Sequence, residues 1–247
     1  MILSDNTDNI GDAFNFFPTT CIDNFYKDPD DVRNFALSLD YNDNSGNFPG
    51  VRTDDLINID AQFYKQSVNK LLSLFFQVDI TDLEKIDCYA TTNFQKIYPY
   101  HSDKNNILNM GDIHTDNIFG GIAAVIYLDP NPSMDSGTSF YRNKKTSKFY
   151  LPKQDYMKIK TSCYKDGKCE EFSEALRNNN SNYEKTLEVK NLYNRAVAYN
   201  PSTPHGQTNF YVDNEDFRLT QVFFIWAAGF VTTDLKNPVQ RINMFDI

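Results

Sequence analysis

The spacing of apolar residues changes along the chain. Residues 28–39 place Val32, Phe35, Ala36 and Leu39 at helical intervals, which predicts a helix with one apolar face. Asp28 is positioned to cap it, Pro29 suits the first helical position, and Asp30 and Asp31 favour the positive end of its dipole. A second helix is expected over 61–76, striped by Tyr64, Val68, Leu71, Leu72 and Phe75. Between the two, "NDNSGNFPGVRTDD" reads as a loop by composition. From about residue 85 the period becomes two: Ile86, Cys88, Ala90, Thr92 and Phe94 alternate with Lys85, Asp87, Tyr89, Thr91 and Asn93, as in a strand. Further strands are expected over 122–128, 138–142, 194–199 and 217–226. Helices first and strands after predict an α+β fold, mainly β, with a sheet core buttressed by N-terminal helices.

Residues 143–190 break this pattern. They are polar and rich in Lys and Asn, with one short helix expected near 171–178. Too poor in apolar residues for a core of its own, the segment reads as an insertion between sheet strands. The expected organisation is therefore a single domain over 1–247. It has a helical part over about 1–80 and a sheet core over about 85–230 that contains the insertion.

Composition narrows the partners more than the fold. A chain of 247 residues with 40% hydrophobic residues can bury a substantial core. Its net charge of −9 argues against a nucleic-acid partner, and the lysines clustered over 142–168 read as a solvated loop surface. The N-terminus lacks the basic and apolar regions of a signal peptide. The longest apolar run, 222–231, is about half the ~20 residues of a spanning helix. A cytoplasmic protein with no membrane partner is expected, and the richness in Asn, Lys, Ile and Tyr fits an AT-rich, virus-like genome. Cys163 and Cys169 flank "YKDGK", whose Asp-Gly suggests a hairpin turn across which they could meet, although free thiols are the expectation in a reducing compartment.

The candidate chemistry lies in the three histidines. Two of them open a His-x-Asp pattern, His101-Ser-Asp103 and His114-Thr-Asp116, and the third, His205, is expected in a strand-end loop. A His and an Asp two apart on an extended chain share a face and can close on one metal ion. Two imidazoles and one carboxylate on one face, with the opposite positions open, make the facial triad of non-haem Fe(II) oxygenases. Arg218 opens the last strong strand with Thr220 two residues on, an arrangement that can grip a carboxylate.

The order of these residues resembles a known family. Tyr98-Pro99, His-x-Asp, a strand ending Tyr127-Leu128-Asp129, the Gly137-Thr138-x-Phe140 strand, a distal His205 and Arg218-x-Thr220 are similar to the Fe(II)/2-oxoglutarate-dependent dioxygenases. The prolyl-hydroxylase-like branch is the nearest match, over about residues 85–230. The resemblance implies a double-stranded β-helix, or jelly roll, and a metal triad of His114, Asp116 and His205. It implies Arg218 on the distal carboxylate of 2-oxoglutarate with Thr220 as helper, and Tyr127 and Tyr98 as further co-substrate contacts. It also implies Fe(II), 2-oxoglutarate and dioxygen as cofactor and co-substrates, and it admits ascorbate. The family's spacing from the motif to Tyr127-Leu128 selects His114 over His101. His101 is left as a surface or locally hydrogen-bonded loop residue, with a role at the substrate entrance as the other option.

Two other readings compete: a zinc-dependent hydrolase on the same three ligands, and a non-catalytic jelly-roll binding or structural module. Arg218-x-Thr220 counts against the hydrolase, and the complete triad counts against the silent module. For the prime substrate the resemblance favours a peptide or protein side chain, with free amino acids and small molecules open. The insertion and the loop 41–55 are the expected cleft walls, with Arg52 either reaching the cleft or lying on the surface.

Overall fold

The computed structural model describes residues 19–42, 47–75, 86–116, 121–145, 153–213 and 216–230. The ends of the expected second helix and first long strand, at residues 76 and 85, lie outside these. The first helix, α1 (Pro29–Ser38), begins on Pro29 with Asp30 and Asp31 in its first turn, although Asp28 makes no side-chain cap. A short α2 (Leu56–Ile59) leads into α3 (Ala61–Leu72), whose start is fixed by Asp60 accepting from Gln62 N and Phe63 N at 3.0 and 2.9 Å.

Six strands form the larger sheet: β1 (Thr20–Ile22), β2 (Val51–Arg52), β3 (Ile86–Ile97), β4 (Ile122–Tyr127), β7 (Ala196–Tyr199) and β9 (Arg218–Phe230). They run antiparallel in the order β1-β7-β4-β9-β3-β2. A second antiparallel sheet holds β6 (Tyr183–Val189), β5 (Thr138–Asn143) and β8 (His205–Gln207), in that order. Alternation gives the larger sheet two different faces. On one, Ala90, Phe94, Ile122, Ala124, Ile126 and Phe223 pack on Val32, Ala36, Val68, Leu71 and Leu72 of the helices. On the other, Ala123, Tyr127, Val197 and Tyr199 meet Phe140 and Val189 of the smaller sheet. The site lies on this second face.

The inserted segment departs from expectation. It carries two helices, α4 (Lys153–Asp166) and α5 (Glu170–Ser181), and then β6, which pairs with β5. Its two helices share a small core of Cys163, Phe172 and Leu176, with Tyr156, Ile159 and Tyr164 against it. Cys163 and Cys169 do not flank a β-hairpin and are not free thiols; they form a disulfide across the turn between the helices. Tyrosine and the disulfide supply the packing that a count of aliphatic residues misses. Among the described residues no helix is long and apolar enough to cross a membrane.

Candidate metal centre

His205 opens β8 and does not lie in a loop; it pairs with Phe140 of β5. His114 faces it across an isolated antiparallel bridge, each backbone N–H donating to the other's carbonyl at 2.9 Å. Two glycines allow this approach. A Cβ on Gly206 would stand 2.7 Å from the Asp112 carbonyl oxygen, and one on Gly111 2.3 Å from that of Gln207. The chain then delivers Asp116 two residues after His114, and ligand atoms of His114, Asp116 and His205 all lie within 4.8 Å of one another.

The tautomers are set by the backbone. His114 Nδ1 lies 2.8 Å from the Asp112 carbonyl and His205 Nδ1 2.8 Å from the Thr203 carbonyl. A carbonyl only accepts, so each Nδ1 carries a proton, and in the neutral ring each Nε2 keeps its lone pair for the centre. The two Nε2 atoms stand 3.6 and 3.4 Å from the Asp116 carboxylate oxygens. Ligands bound to one ion at about 2 Å stand about 3 to 3.5 Å apart, so the spacing fits a shared cation. Asp116 Oδ2 is buried with no hydrogen-bond partner, which suits a metal ligand better than a structural carboxylate.

Electrostatics favour the ligand forms unevenly. Burial, aided by the charge of His114, pulls His205 down to about 4, so it is neutral at physiological pH. Burial also lowers His114, but the Asp116 carboxylate outweighs it and leaves that ring above its ordinary value. Burial raises Asp116, and the adjacent His114 ring, with His205 and Arg52, reverses the effect and holds it below the usual carboxylate range.

The inserted helices hold the motif in place, a role that the sequence did not announce. Lys160 of α4 donates to Asp112 Oδ2 at 2.7 Å, and the Tyr156 hydroxyl donates to Asp112 Oδ1. Asn179 of α5 donates to Asp112 Oδ1 and to the Ile113 carbonyl at 3.1 and 2.9 Å. Asn180 accepts from Ile113 N at 3.1 Å and donates to the Gly111 carbonyl at 3.0 Å. Residues 111–113, immediately before His114, are thus clamped by polar side chains. The one available signal was Asp112 itself, an acidic residue beside the motif in a segment followed by buried Ile113.

The second polar cluster lies deeper on the same sheet face. Tyr127, Arg218 and Thr220 are each 0% exposed, and Tyr127 is in register with Thr220. Arg218 Nε donates to the Ser136 carbonyl at 2.7 Å, while Nη1, Nη2 and the Thr220 hydroxyl have no hydrogen-bond partner. The guanidinium carbon lies 5.2 Å from the centre of the Tyr127 ring. The Tyr127 hydroxyl donates to Thr138 Oγ1 at 2.8 Å, and Thr138 lines a cavity of about 350 Å³ shared with His114, Asp116, His205, Tyr199 and Arg52. Tyr199 joins the two regions: its ring is 4.5 Å from that of His205, and it belongs to the apolar cluster that contains Tyr127.

Tyr98 falls outside this arrangement. It is 47% exposed, packs edge-on against Phe217 and does not line the cavity. Its exposure follows from its place just beyond the end of β3, where the sheet no longer covers it. His101 is exposed as well, its Nδ1 accepting from Asp103 N at 2.9 Å. Arg52 does reach the cavity, carried there by β2, a strand within the segment expected as a loop.

A family described as a family of unknown function, DUF6445, matches residues 15–225, and the chain belongs to it. No curated protein matches the sequence. Among solved structures, HygX from Streptomyces hygroscopicus with nickel and 2-oxoglutarate bound is similar at 14% identity, over 90% of this chain and 87% of that one, with a TM-score of 0.43. A prolyl 4-hydroxylase from Phytophthora capsici is similar at 12% identity, over 97% and 68%, with a TM-score of 0.41. The Fe(II)/α-ketoglutarate-dependent dioxygenase TqaL is similar at 9% identity, over 93% and 89%, with a TM-score of 0.42.

Proposed function

We propose that this member of DUF6445 is an Fe(II)- and 2-oxoglutarate-dependent oxygenase that hydroxylates an unactivated C–H bond, with its two sheets forming a double-stranded β-helix around the site. The observation that carries the reading is the pairing of two buried polar clusters on one sheet face. One is a His-Asp-His set with both Nε2 atoms and Asp116 Oδ2 turned inward. The other is a fully buried guanidinium, Arg218, with two nitrogens lacking any hydrogen-bond partner. A buried cation with free donors is costly unless an anion completes it. A metal hydrolase has no use for such a group, whereas a dicarboxylate co-substrate bound at the metal does.

In this reading His114, Asp116 and His205 hold Fe(II), leaving the remaining positions for ligands. Iron with 2-oxoglutarate and dioxygen supplies the oxidising chemistry: decarboxylation of the keto acid coupled to hydroxylation of the substrate. The chain's own residues orient and exclude. The Thr203 and Asp112 carbonyls hold the imidazole tautomers, and the clamp from α4 and α5 holds the Asp112–Ile113 backbone. Arg218 and Thr220 receive the distal carboxylate, and the Tyr127 ring walls the guanidinium off from water.

The test is anaerobic titration of Fe(II) and 2-oxoglutarate into the full chain. A visible charge-transfer band and succinate release on admitting air are expected, and His114→Ala and Asp116→Ala should each remove both. A stable zinc complex with neither the band nor succinate would refute the reading.

A further inference from the structure

The co-substrate reading uses one of two guanidinium groups on this sheet face. Arg52 is the other. The register Thr220–Gln95–Arg52 puts it two strands from Thr220, about 10 Å at ordinary strand spacing, on the edge strand β2. Its guanidinium carbon lies 3.9 Å over the Phe48 ring and 5.6 Å from that of Phe224. The group therefore packs against aromatic rings before any ligand arrives. Its hydrogen bond from Nη2 to Gln95 Oε1 is long at 3.3 Å, and Nε is buried with no partner. Gln95 is itself anchored, donating to the Pro49 carbonyl at 2.7 Å.

Among the described residues, Arg52 has no carboxylate of its own. Asp116 is the carboxylate acting on it, and that group belongs to the metal set. Asp112, the other acid lining the cavity, is ion-paired to Lys160 at 2.7 Å. Lys153 also lines the cavity, and among the described residues it has no ion pair. Among the described residues lining the cleft, three basic groups (Arg52, Lys153, Lys160) face two acidic ones (Asp112, Asp116), a positive balance in a chain whose net charge is −9. The cavity, about 350 Å³, is at the low end of small-ligand sites.

We propose that Arg52 receives a carboxylate of the prime substrate, so that the substrate is a small carboxylic acid held beside the metal centre by a planar, desolvated ion pair. This rests on the oxygenase reading above. It assigns Arg218 and Arg52 to different molecules: the co-substrate to the interior arginine, the substrate to the edge one. The aromatic pair Phe48 and Phe224 fixes the guanidinium plane and so orients the acid.

The experiment uses the full chain loaded with Ni(II) in place of iron. 2-Oxoglutarate is titrated first, by calorimetry. The loaded protein is then titrated with proteinogenic L-amino acids and with aliphatic and aromatic monocarboxylic acids, each beside its primary amide. Binding of acids with at least about tenfold preference over the matching amides is expected, since a charge-assisted pair is lost in the amide. Arg52→Met should erase that preference while the 2-oxoglutarate affinity stays within about threefold of wild type. Arg52→Gln, which retains a polar contact to Gln95, is the second variant should methionine disturb the fold, and it should behave in the same way.

Three results would overturn the assignment: no acid binds; acids and amides bind alike; or the Arg52 variants weaken 2-oxoglutarate as much as they weaken the acids. The last would place Arg52 in the co-substrate site. Failure of the first titration in the wild-type chain would remove the oxygenase reading and this assignment together, and is told apart because it precedes any acid.

Discussion

Replacing Arg218 with methionine should move stability and co-substrate binding in unlinked ways. The side chain is 0% exposed and donates through Nε alone, to the Ser136 carbonyl at 2.7 Å, while both terminal nitrogens have no hydrogen-bond partner. Its loss leaves that carbonyl unpaired, at a cost of about 1–3 kcal/mol. The same change removes a buried cation whose desolvation penalty is itself several kcal/mol. The two effects oppose, so the metal-free variant should unfold in urea within about 2 kcal/mol of wild type. Co-substrate binding has no such compensation. Two charge-assisted hydrogen bonds at about 1.5–3 kcal/mol each amount to about 3–6 kcal/mol, or a weakening of about 10²- to 10⁴-fold. Calorimetric titration of 2-oxoglutarate into the Ni(II)-loaded proteins measures the second quantity. Binding within tenfold of wild type would refute the assignment of Arg218. So would a stability loss beyond about 3 kcal/mol, because that is the signature of breaking a buried pair already complete without ligand.

Gly206→Ala places a Cβ 2.7 Å from the Asp112 carbonyl oxygen and should push β8 away from residues 111–114. Ni(II) affinity should fall at least about tenfold, as it does when supporting groups are disturbed, and unchanged affinity would show that the bridge does not set the ligand spacing. Metal affinity should also fall in mild acid with a slope of one proton, not two. His114 lies above its ordinary value and must lose its proton on binding, so affinity is full above its titration and lost as pH falls through it; His205, down to about 4, is already neutral. Competition against a chromophoric chelator between about pH 5 and 8 measures the slope, and a value of two would contradict this division between the histidines.

The elements that periodicity resolved are those that bury an apolar face against another. Val68, Leu71 and Leu72, and Ala90 and Phe94, sit inward as their spacing implies, because a hydrophobic stripe records which side of an element meets the core. The candidate ligands were legible less directly: His101-x-Asp103 and His114-x-Asp116 offer the same short interval, and the resemblance to a known family, not the interval, chose between them. The inserted helices were not legible in the same way. Lys160 and Tyr156 are buried or half-buried because of Asp112, which is far away in the chain, and a lysine in a polar run carries no mark of such a partner. The same holds for Cys163 and Cys169, whose pairing depends on how two helices turn.

Sequence by itself therefore determined most of the α+β elements, their inward faces and the histidines and aspartates from which a metal site could be drawn. Only the tertiary structure decided that β8 and residues 111–114 lie edge to edge, that Arg52 enters the cleft and that Tyr98 stays outside it. The division is physical. Burial of apolar surface is written along each element as a period, whereas polar side chains acquire their roles from partners that folding alone brings within hydrogen-bond distance.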